Sequence, residues 1–403
     1  MGSAGAPIGR EGEVHVLRDF LEDAAAFPDI LQIEGDAGIG KTTLWRCGLE
    51  LAVAHSYRVL SCSPSGAETQ LSFAGLGDML ETVTDEVLSD LPPPLARALS
   101  IALLLEDAAP SPPDQRAIGL ALLGGIRALA RDGPLVIAVD DMQWLDDASG
   151  LTLGFALRRI SEEPVGVLLA RRTGGEEGPS GPGLELGPLR DRDLRLVMEP
   201  LSMGAIHHLL GERLGLTLTR PNARRLYEVS GGNPFYALEL GRAVVRGAID
   251  LESGGPLPRS LSSLVADRIA STSEPTRHAL LIVSALSHPT MGLIARAGVE
   301  APTERLAPAL ETHVIEFENE RIRFSHPLLA AGVYSAALPL ERRAVHRRLA
   351  DVVTDPEEQA RHVALGAEGP DPAIAAVLED SAVRTHARGR SPRPLDMPRR
   401  HGG

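Results

Sequence analysis

The sequence predicts an α/β domain with a mainly parallel sheet, followed by a long, largely helical remainder. Three observations predict it. Short apolar runs alternate with amphipathic segments from residue 13 to about 170, the pattern of strands joined by crossover helices. One glycine-rich run, Gly35-Asp36-Ala37-Gly38-Ile39-Gly40-Lys41-Thr42, sits between an apolar run and an amphipathic segment. Beyond about residue 191 the spacing of apolar residues is almost entirely helical.

Each element follows in order. Residues 13–26 place Val14, Leu17, Phe20, Leu21 and Ala24 on one helical face. Ile30-Leu31-Gln32-Ile33 is a short strand, residues 42–54 a helix, and Tyr57-Arg58-Val59-Leu60-Ser61-Cys62 a second strand. Helices are expected over 72–82 and 94–105, with Pro92-Pro93-Pro94 as the breaker between them. A loop at 110–113 precedes a helix from 114 to 130. Leu135-Val136-Ile137-Ala138-Val139 and Val165-Gly166-Val167-Leu168-Leu169-Ala170 are unbroken apolar runs, as in strands buried on both faces; a helix over 148–160 joins them. Gly, Glu, Pro and Ser at 173–183 mark one boundary and Gly254-Gly255-Pro256 another. Short helices are expected over 259–311. His313-Val314-Ile315-Glu316-Phe317 and Arg321-Ile322-Arg323-Phe324 then flank Glu318-Asn319-Glu320 as a β-hairpin. Short helices ending in a hairpin suggest a winged-helix module. Residues 326–387 are helical again, and 389–403, rich in Pro, Arg and Gly, are expected to be a disordered basic tail.

Composition sets limits. The length of 403 residues suggests two or three domains. With 43% hydrophobic residues and only 3% aromatics, the core must be built from Leu, Ala, Val and Ile. A net charge of -14 argues against a general nucleic-acid or membrane-surface binder. Two cysteines, Cys47 and Cys62, with no signal segment suggest reduced thiols in a cytoplasmic protein. No run approaches the ~20 apolar residues of a membrane span.

Lys41 is the only lysine in a chain with 40 Lys plus Arg. It closes the run at 35–42, which fits G-x-x-x-x-G-K-[ST]. A compact ammonium fits between phosphate oxygens where a planar guanidinium is too large. Gly35, Gly38 and Gly40 let backbone N–H groups turn inward around phosphates, and the following helix adds its dipole. Lys41 is therefore expected to bridge the β- and γ-phosphates of a nucleoside triphosphate. Thr42 is expected to give its hydroxyl to Mg²⁺, and Thr43 to touch the α-phosphate. The plainer reading is a Gly-rich turn before an ordinary helix.

Asp140-Asp141 ends the strand at 135–139. Asp140 is assigned to Mg²⁺ and Asp141 to polarising the attacking water, against the reading in which both only cap the next helix. Asp146 and Asp147 are read as helix-capping groups. Arg171 and Arg172 end the strand at 165–170, where an arginine reaches a γ-phosphate across the sheet. Strand alternation lets only one of the two point there, and an exposed basic pair is the alternative. Gly231-Gly232-Asn233-Pro234-Phe235 reads locally as a helix stop followed by a proline-started helix.

These motifs together resemble the STAND branch of AAA-type ATPases, and more closely the ATPase portion of the large ATP-binding LuxR-type transcriptional regulators of actinobacteria. The resemblance covers roughly 7–385. It rests on Ile8-Gly9-Arg10-Glu11 with Glu13, the loop at 35–42, Asp140-Asp141-Met142-Gln143-Trp144-Leu145-Asp146, the strand from Leu168 to Arg172, the run from Ser230 to Phe235, and Phe324-Ser325-His326-Pro327. It implies that Arg10 contacts the nucleotide, that Pro234 packs on the adenine, and that His326 senses the β-phosphate of ADP. A salt bridge from Arg10 to Glu11 or Glu13, and a structural role for His326 before Pro327, remain open beside these.

The resemblance implies a P-loop ATPase core (1–173), a helical lid (184–250), a winged-helix-like domain (256–350) and the start of a helical repeat region (351–387), before the basic tail (388–403). The expected activity is that of a signalling switch with ATP or ADP and Mg²⁺, slow hydrolysis, and nucleotide-dependent self-association. The family's DNA-binding end is missing from the pattern, so a truncated or frame-shifted relative is expected and DNA is not an expected partner of this chain alone. Arg342, Arg343, Arg347 and Arg348 read as a solvated helix face. The competing reading is a non-hydrolysing, ADP-bound scaffold acting through protein contacts.

Overall fold

In a computed structural model, the structure describes residues 7–107, 113–173, 194–249, 251, 260–318, 320–369 and 371–387. The chain opens with α1 (Glu11–Ala24), which turns Val14, Leu17, Phe20, Leu21 and Ala24 inward, the face its spacing predicts. β1 (Asp29–Gly35) runs into the glycine-rich loop, and α2 (Lys41–Ala54) leaves it. β2 (Arg58–Cys62) follows.

Three helices then occupy the stretch in which two are expected: α3 (Ala74–Leu80), α4 (Thr84–Asp90) and α5 (Pro93–Ala102). The proline run does not separate two helices by a loop. Pro93 and Pro94 sit in the first turn of α5, where the missing N–H has no intrahelical partner to lose. α6 (Gln115–Arg131) starts from Asp114, whose side chain accepts from the amide of Arg116. β3 (Leu135–Val139) is wholly buried. A single 3₁₀ turn at Met142–Trp144 leads to α7 (Asp147–Leu157), and then β4 (Val165–Arg172). The loop proposed at 110–113 and most of that at 173–183 lie outside the described residues.

A fifth strand, β5 (Leu194–Val197), falls where the helical pattern is expected to begin. It pairs in parallel with β1, Leu31 opposite Leu194 and Glu34 opposite Val197. The sheet order is β2-β3-β4-β1-β5, all parallel. Parallel strands bury both faces, and the period of two sorts their side chains. Val136, Ala138 and Leu168 pack with Leu17, Leu44 and Trp45 on the α1–α2 side. Ile137, Val139, Val167 and Leu169 pack with α3 to α7 on the other.

Among the described residues, the remainder is helical apart from one hairpin. α8 (Met203–Leu214) is capped by Ser202 and stopped by Gly215 in the left-handed region. α9 (Arg220–Ser230) ends at Gly231, also left-handed, and α10 (Pro234–Val245) starts from Asn233, whose side chain accepts from the amide of Tyr236. These three helices share a core with Leu201 and Leu264. Then come α11 (Leu261–Ala270), α12 (Glu274–Ala285), α13 (Met291–Arg296) and α14 (Pro302–Glu311). The hairpin is β6 (Ile315–Glu318) antiparallel to β7 (Arg321–Phe324), and α15 (Pro327–Ala336) and α16 (Pro339–Ala350) follow. α11 to α16 and the hairpin close round one apolar cluster that includes Leu280, Ile282, Leu306, Ile322 and Leu349. α17 (Pro356–Gly366) and α18 (Pro372–Ala387) end the described chain. The boundary at 254–256 and the basic tail at 388–403 lie outside the described residues. No helix among the described residues is long and apolar enough to cross a membrane.

Candidate functional site

The glycine-rich loop leaves the carboxyl end of β1, the side of a parallel sheet where ligands bind. Gly38 (φ +79°) and Gly40 (φ +104°) hold conformations that a Cβ resists. Lys41 opens α2 and is 6% exposed. Its ammonium donates to the carbonyls of Gly35 and Asp36, both at 2.8 Å. Burial lowers its pKa, and Asp141, Asp140 and Asp36 pull it back up. Thr42 is half-buried and Thr43 exposed.

β4 lies between the strand carrying the loop and the strand carrying the acidic pair. Asp140, at the end of β3, is 2% exposed. Its Oδ1 accepts from the Asp141 amide at 2.9 Å; burial, then the charge of Asp141, raise its pKa, and the nearby Thr42 hydroxyl pulls it back down. Asp141 takes the left-handed region at φ 44°, a strained position for a side-chain-bearing residue. Its carboxylate accepts from the Gln143 amide nitrogen at 2.7 Å and lies 3.6 Å from Arg172 Nε. The Gln143 carbonyl in turn accepts from the Arg172 backbone amide at 3.3 Å. Arg171 points elsewhere: it lies 3.0 Å from Glu34 and is about half exposed. The structure therefore brings Arg172, and not Arg171, to the acidic pair, as strand alternation requires. Asp146 is the N-cap of α7, accepting from Ser149 at 2.9 Å.

Two further parts of the chain meet the loop, and a third stacks on one of them. Arg10 is buried and splits its guanidinium between Glu13 (2.7 Å) and the carbonyl of Ile39 (2.9 Å). The 231–235 turn docks directly: Asn233 donates to the Ala37 carbonyl at 2.9 Å, and the Phe235 amide to Gly38 at 3.2 Å. A Cβ at Gly38 would lie 2.9 Å from Phe235 Cβ, and one at Gly40 would be 4.0 Å from Pro234 Cγ. His326 stacks on Phe235 with centroids 3.8 Å apart and planes 14° from parallel. Its Nδ1 accepts from the Leu328 amide, capping α15. Burial, then the positive charges of Arg172 and Lys41, push its pKa down to about 3. His326 therefore stays neutral and faces the cationic side of the site.

Lys41, Thr42, Asp140, Asp141, Arg172, Pro234, His326 and Arg10 all converge on this loop, and sequence reasoning had singled out each. It had not assigned Gln143, Asn233 or Phe235. The signal for Asn233 was present, because an Asn before Pro at a helix start is an N-cap pattern. For Gln143 no local pattern exists, since its partners lie across the sheet. As donors the site offers a hydroxyl and a buried carboxylate, the hard oxygens that suit Mg²⁺. For an anion it offers an ammonium, a guanidinium and the N-terminus of α2.

Residues 6–169 match the AAA ATPase domain family. An uncharacterized protein of Rhizobium meliloti (strain 1021) is 24% identical over 436 residues, covering 96% of this chain and 41% of that protein. The crystal structure of a Signal Transduction ATPase with Numerous Domains (STAND) protein with a tetratricopeptide repeat sensor, from Pyrococcus horikoshii, is similar with a TM-score of 0.59 at 18% identity. That match covers 94% of this chain and 52% of the other. Residues 6–169 are thus similar to an AAA ATPase domain, the fold is similar to that of a STAND ATPase, and the chain spans about half or less of the relatives it matches.

Proposed function

We propose that the chain is a nucleotide-dependent switch that binds ATP or ADP with Mg²⁺ and hydrolyses ATP slowly. One observation carries this reading: the helical group 203–245 meets the glycine-rich loop through Asn233, Pro234 and Phe235, and the hairpin module meets that group beside the loop through the ring of His326 on Phe235. A phosphate held by that loop lies against residues of all three parts, so its loss changes how they pack. In this reading residues 184–250 act as a lid and 256–350 as a winged helix.

The residues have distinct roles. Lys41 exchanges the carbonyls of Gly35 and Asp36 for phosphate oxygens, and its charge is what the phosphates lack. Thr42 and Asp140 would hold Mg²⁺ through their oxygens, and the bound ion would supply charge neutralisation for the phosphoryl group. Asp141 orients the attacking water and takes its proton. Its carboxylate is tied to Gln143 and Arg172, which limits its freedom as a base and favours slow turnover. The same tie favours the competing reading, an ADP-bound scaffold that does not hydrolyse. Arg172 meets the γ-phosphate, and Pro234 meets the adenine. Kinship with the ATPase portion of LuxR-type regulators, and self-association governed by nucleotide, are part of the proposal. They rest on the motifs quoted above.

The test is direct. Mass spectrometry of the purified chain should find a bound adenine nucleotide, and Lys41→Ala should lose it while keeping its melting temperature within a few degrees. Unchanged ATP affinity in a folded Lys41→Ala chain overturns the site. Multiple-turnover phosphate release separates the slow enzyme from the scaffold.

A further inference from the structure

The segment 63–81, between β2 and α4, touches neither Lys41 nor the glycine-rich loop by any bond described above. Yet the C-terminal part of the chain converges on it. The amide of Ser72 donates to Glu357 Oε2 at 2.8 Å in a buried contact spanning 285 residues of sequence. Arg321 of β7 lies 2.9 Å from Asp78 and 3.3 Å from Glu81. His288 lies 3.1 Å from Glu68, and Arg323 donates to the Ser63 carbonyl at 3.2 Å. The far side of the same segment holds the acidic loop. The amide of Phe73 donates to Asp146 Oδ1 at 2.9 Å, that of Gly75 to Asp146 Oδ2 at 3.1 Å, and that of Leu76 to Ser149 Oγ at 2.8 Å.

The local backbone explains the arrangement. Phe73 occupies the left-handed region at φ 63°, so the chain turns sharply there. The successive amides of Ser72 and Phe73 then serve carboxylates from two distant parts of the chain. Both carboxylates are buried, Asp146 at 2% and Glu357 at 8% exposure. Withdrawal of either carboxylate removes the buried acceptor that faces that amide, and native structures keep buried N–H groups bonded. Asp146 closes the loop that Asp140 and Asp141 open. The bonds that link α17 to the end of the acidic loop thus run through the backbone amides of Ser72, Phe73, Gly75 and Leu76.

We propose that Glu357 is a positioning residue: by holding 72–76 against Asp146 it sets the acidic loop 140–146, so that displacement of the C-terminal helices is felt at the site. Coupling of this kind needs a demonstration that the two ends move together. Hydrogen–deuterium exchange on the full chain supplies it without any nucleotide. Glu357→Ala should speed exchange in peptides covering 72–76 and 142–149 together, each by about tenfold or more. Glu357→Gln, which keeps an oxygen for the Ser72 amide, should restore both. Loosening of 72–76 alone, with 142–149 at its wild-type rate, overturns the proposal. Coupling is reciprocal, so Asp146→Asn, which sets an amide donor against Gly75, should speed exchange at 355–361; this second variant decides the matter if Glu357→Ala does not fold, and an unchanged 355–361 overturns the proposal there. Faster release of fluorescent ADP from Glu357→Ala is the functional readout, and that part rests on the nucleotide-switch reading. Should the wild-type chain fail to bind fluorescent ADP, that reading falls while the exchange result still decides the coupling.

Discussion

At the scale of single residues, the site is held by bonds that each have one replaceable atom. Asp141 is the clearest case. Asp141→Asn keeps the shape and the oxygen that Gln143 and Arg172 approach, and removes the charge that takes a proton and pairs with Arg172. Nucleotide affinity should stay within about threefold while turnover falls about a hundredfold, the usual range for a lost general base. Equal turnover in the two proteins would remove Asp141 from the mechanism. The residues legible in the sequence are those whose job is local. Gly38, Gly40, Lys41 and Thr42 sit in one loop whose spacing alone implies backbone amides turned inward. Asp146 was legible as a cap because its partner, Ser149, is three residues away. The choice between Arg171 and Arg172 was not, because it depends on the sheet register, which pairs Glu34 with Arg171. Gln143 was missed for the same reason, since it bonds Arg172 across the gap between β3 and β4.

At the scale of elements, the joint between α10 and α11 rests on buried charge. Glu239 and Arg268 are 1% and 2% exposed, and Arg268 also donates to the carbonyl of Thr312 just after α14. Burial lowers the Arg268 pKa to about 10, against the pull of Glu239. Glu239→Ala leaves that guanidinium buried and unpaired, which costs about 3–5 kcal/mol. Urea unfolding measures it, and a loss below about 1 kcal/mol means the cavity has admitted water. Elements with strong periodicity, such as α1, α6, β3 and β4, were legible to within a few residues. β5 was not: Leu194-Arg195-Leu196-Val197 is four residues long, lies on the sheet edge, and borders helical sequence. Its strand state is set by the free edge of β1 and not by its own composition. The extra helix α4 was hidden because it is only two turns long, and the prolines after it start α5 instead of merely breaking the chain.

At the scale of the whole molecule, several packed groups refuse a proton. His326 is held at about 3, and His346 at about 4, by burial first and by neighbouring positive charge after it. His346 lies between Tyr334 and His362, each at 2.8 Å. The ordinary value for both is 6.5, so between that pH and about 4 the unfolded chain binds protons that the folded chain does not. Stability from these two groups is complete above pH 6.5 and is lost as the pH falls through the interval. The urea midpoint should fall from pH 7 to pH 4, and His326→Asn, which retains a helix-capping oxygen, should flatten part of that slope. A slope identical in wild type and His326→Asn would mean that the ring is already charged in the fold. Such long-range packing was the least legible level, because His326, Phe235 and Gly38 are far apart in sequence and are joined only in the folded chain.

The lone lysine has a practical corollary. A reagent that acylates amines meets one side chain in this protein, and that side chain is buried in the glycine-rich loop, its pKa already lowered by burial. Apart from the N-terminal amine, the extent of labelling is therefore a reading of the loop alone. A protease that cuts only after lysine has likewise a single peptide bond to find, between Lys41 and Thr42 at the start of α2. The chain is, in effect, its own footprinting probe. A ligand in the loop should shield the one amine and the one cleavable bond at once.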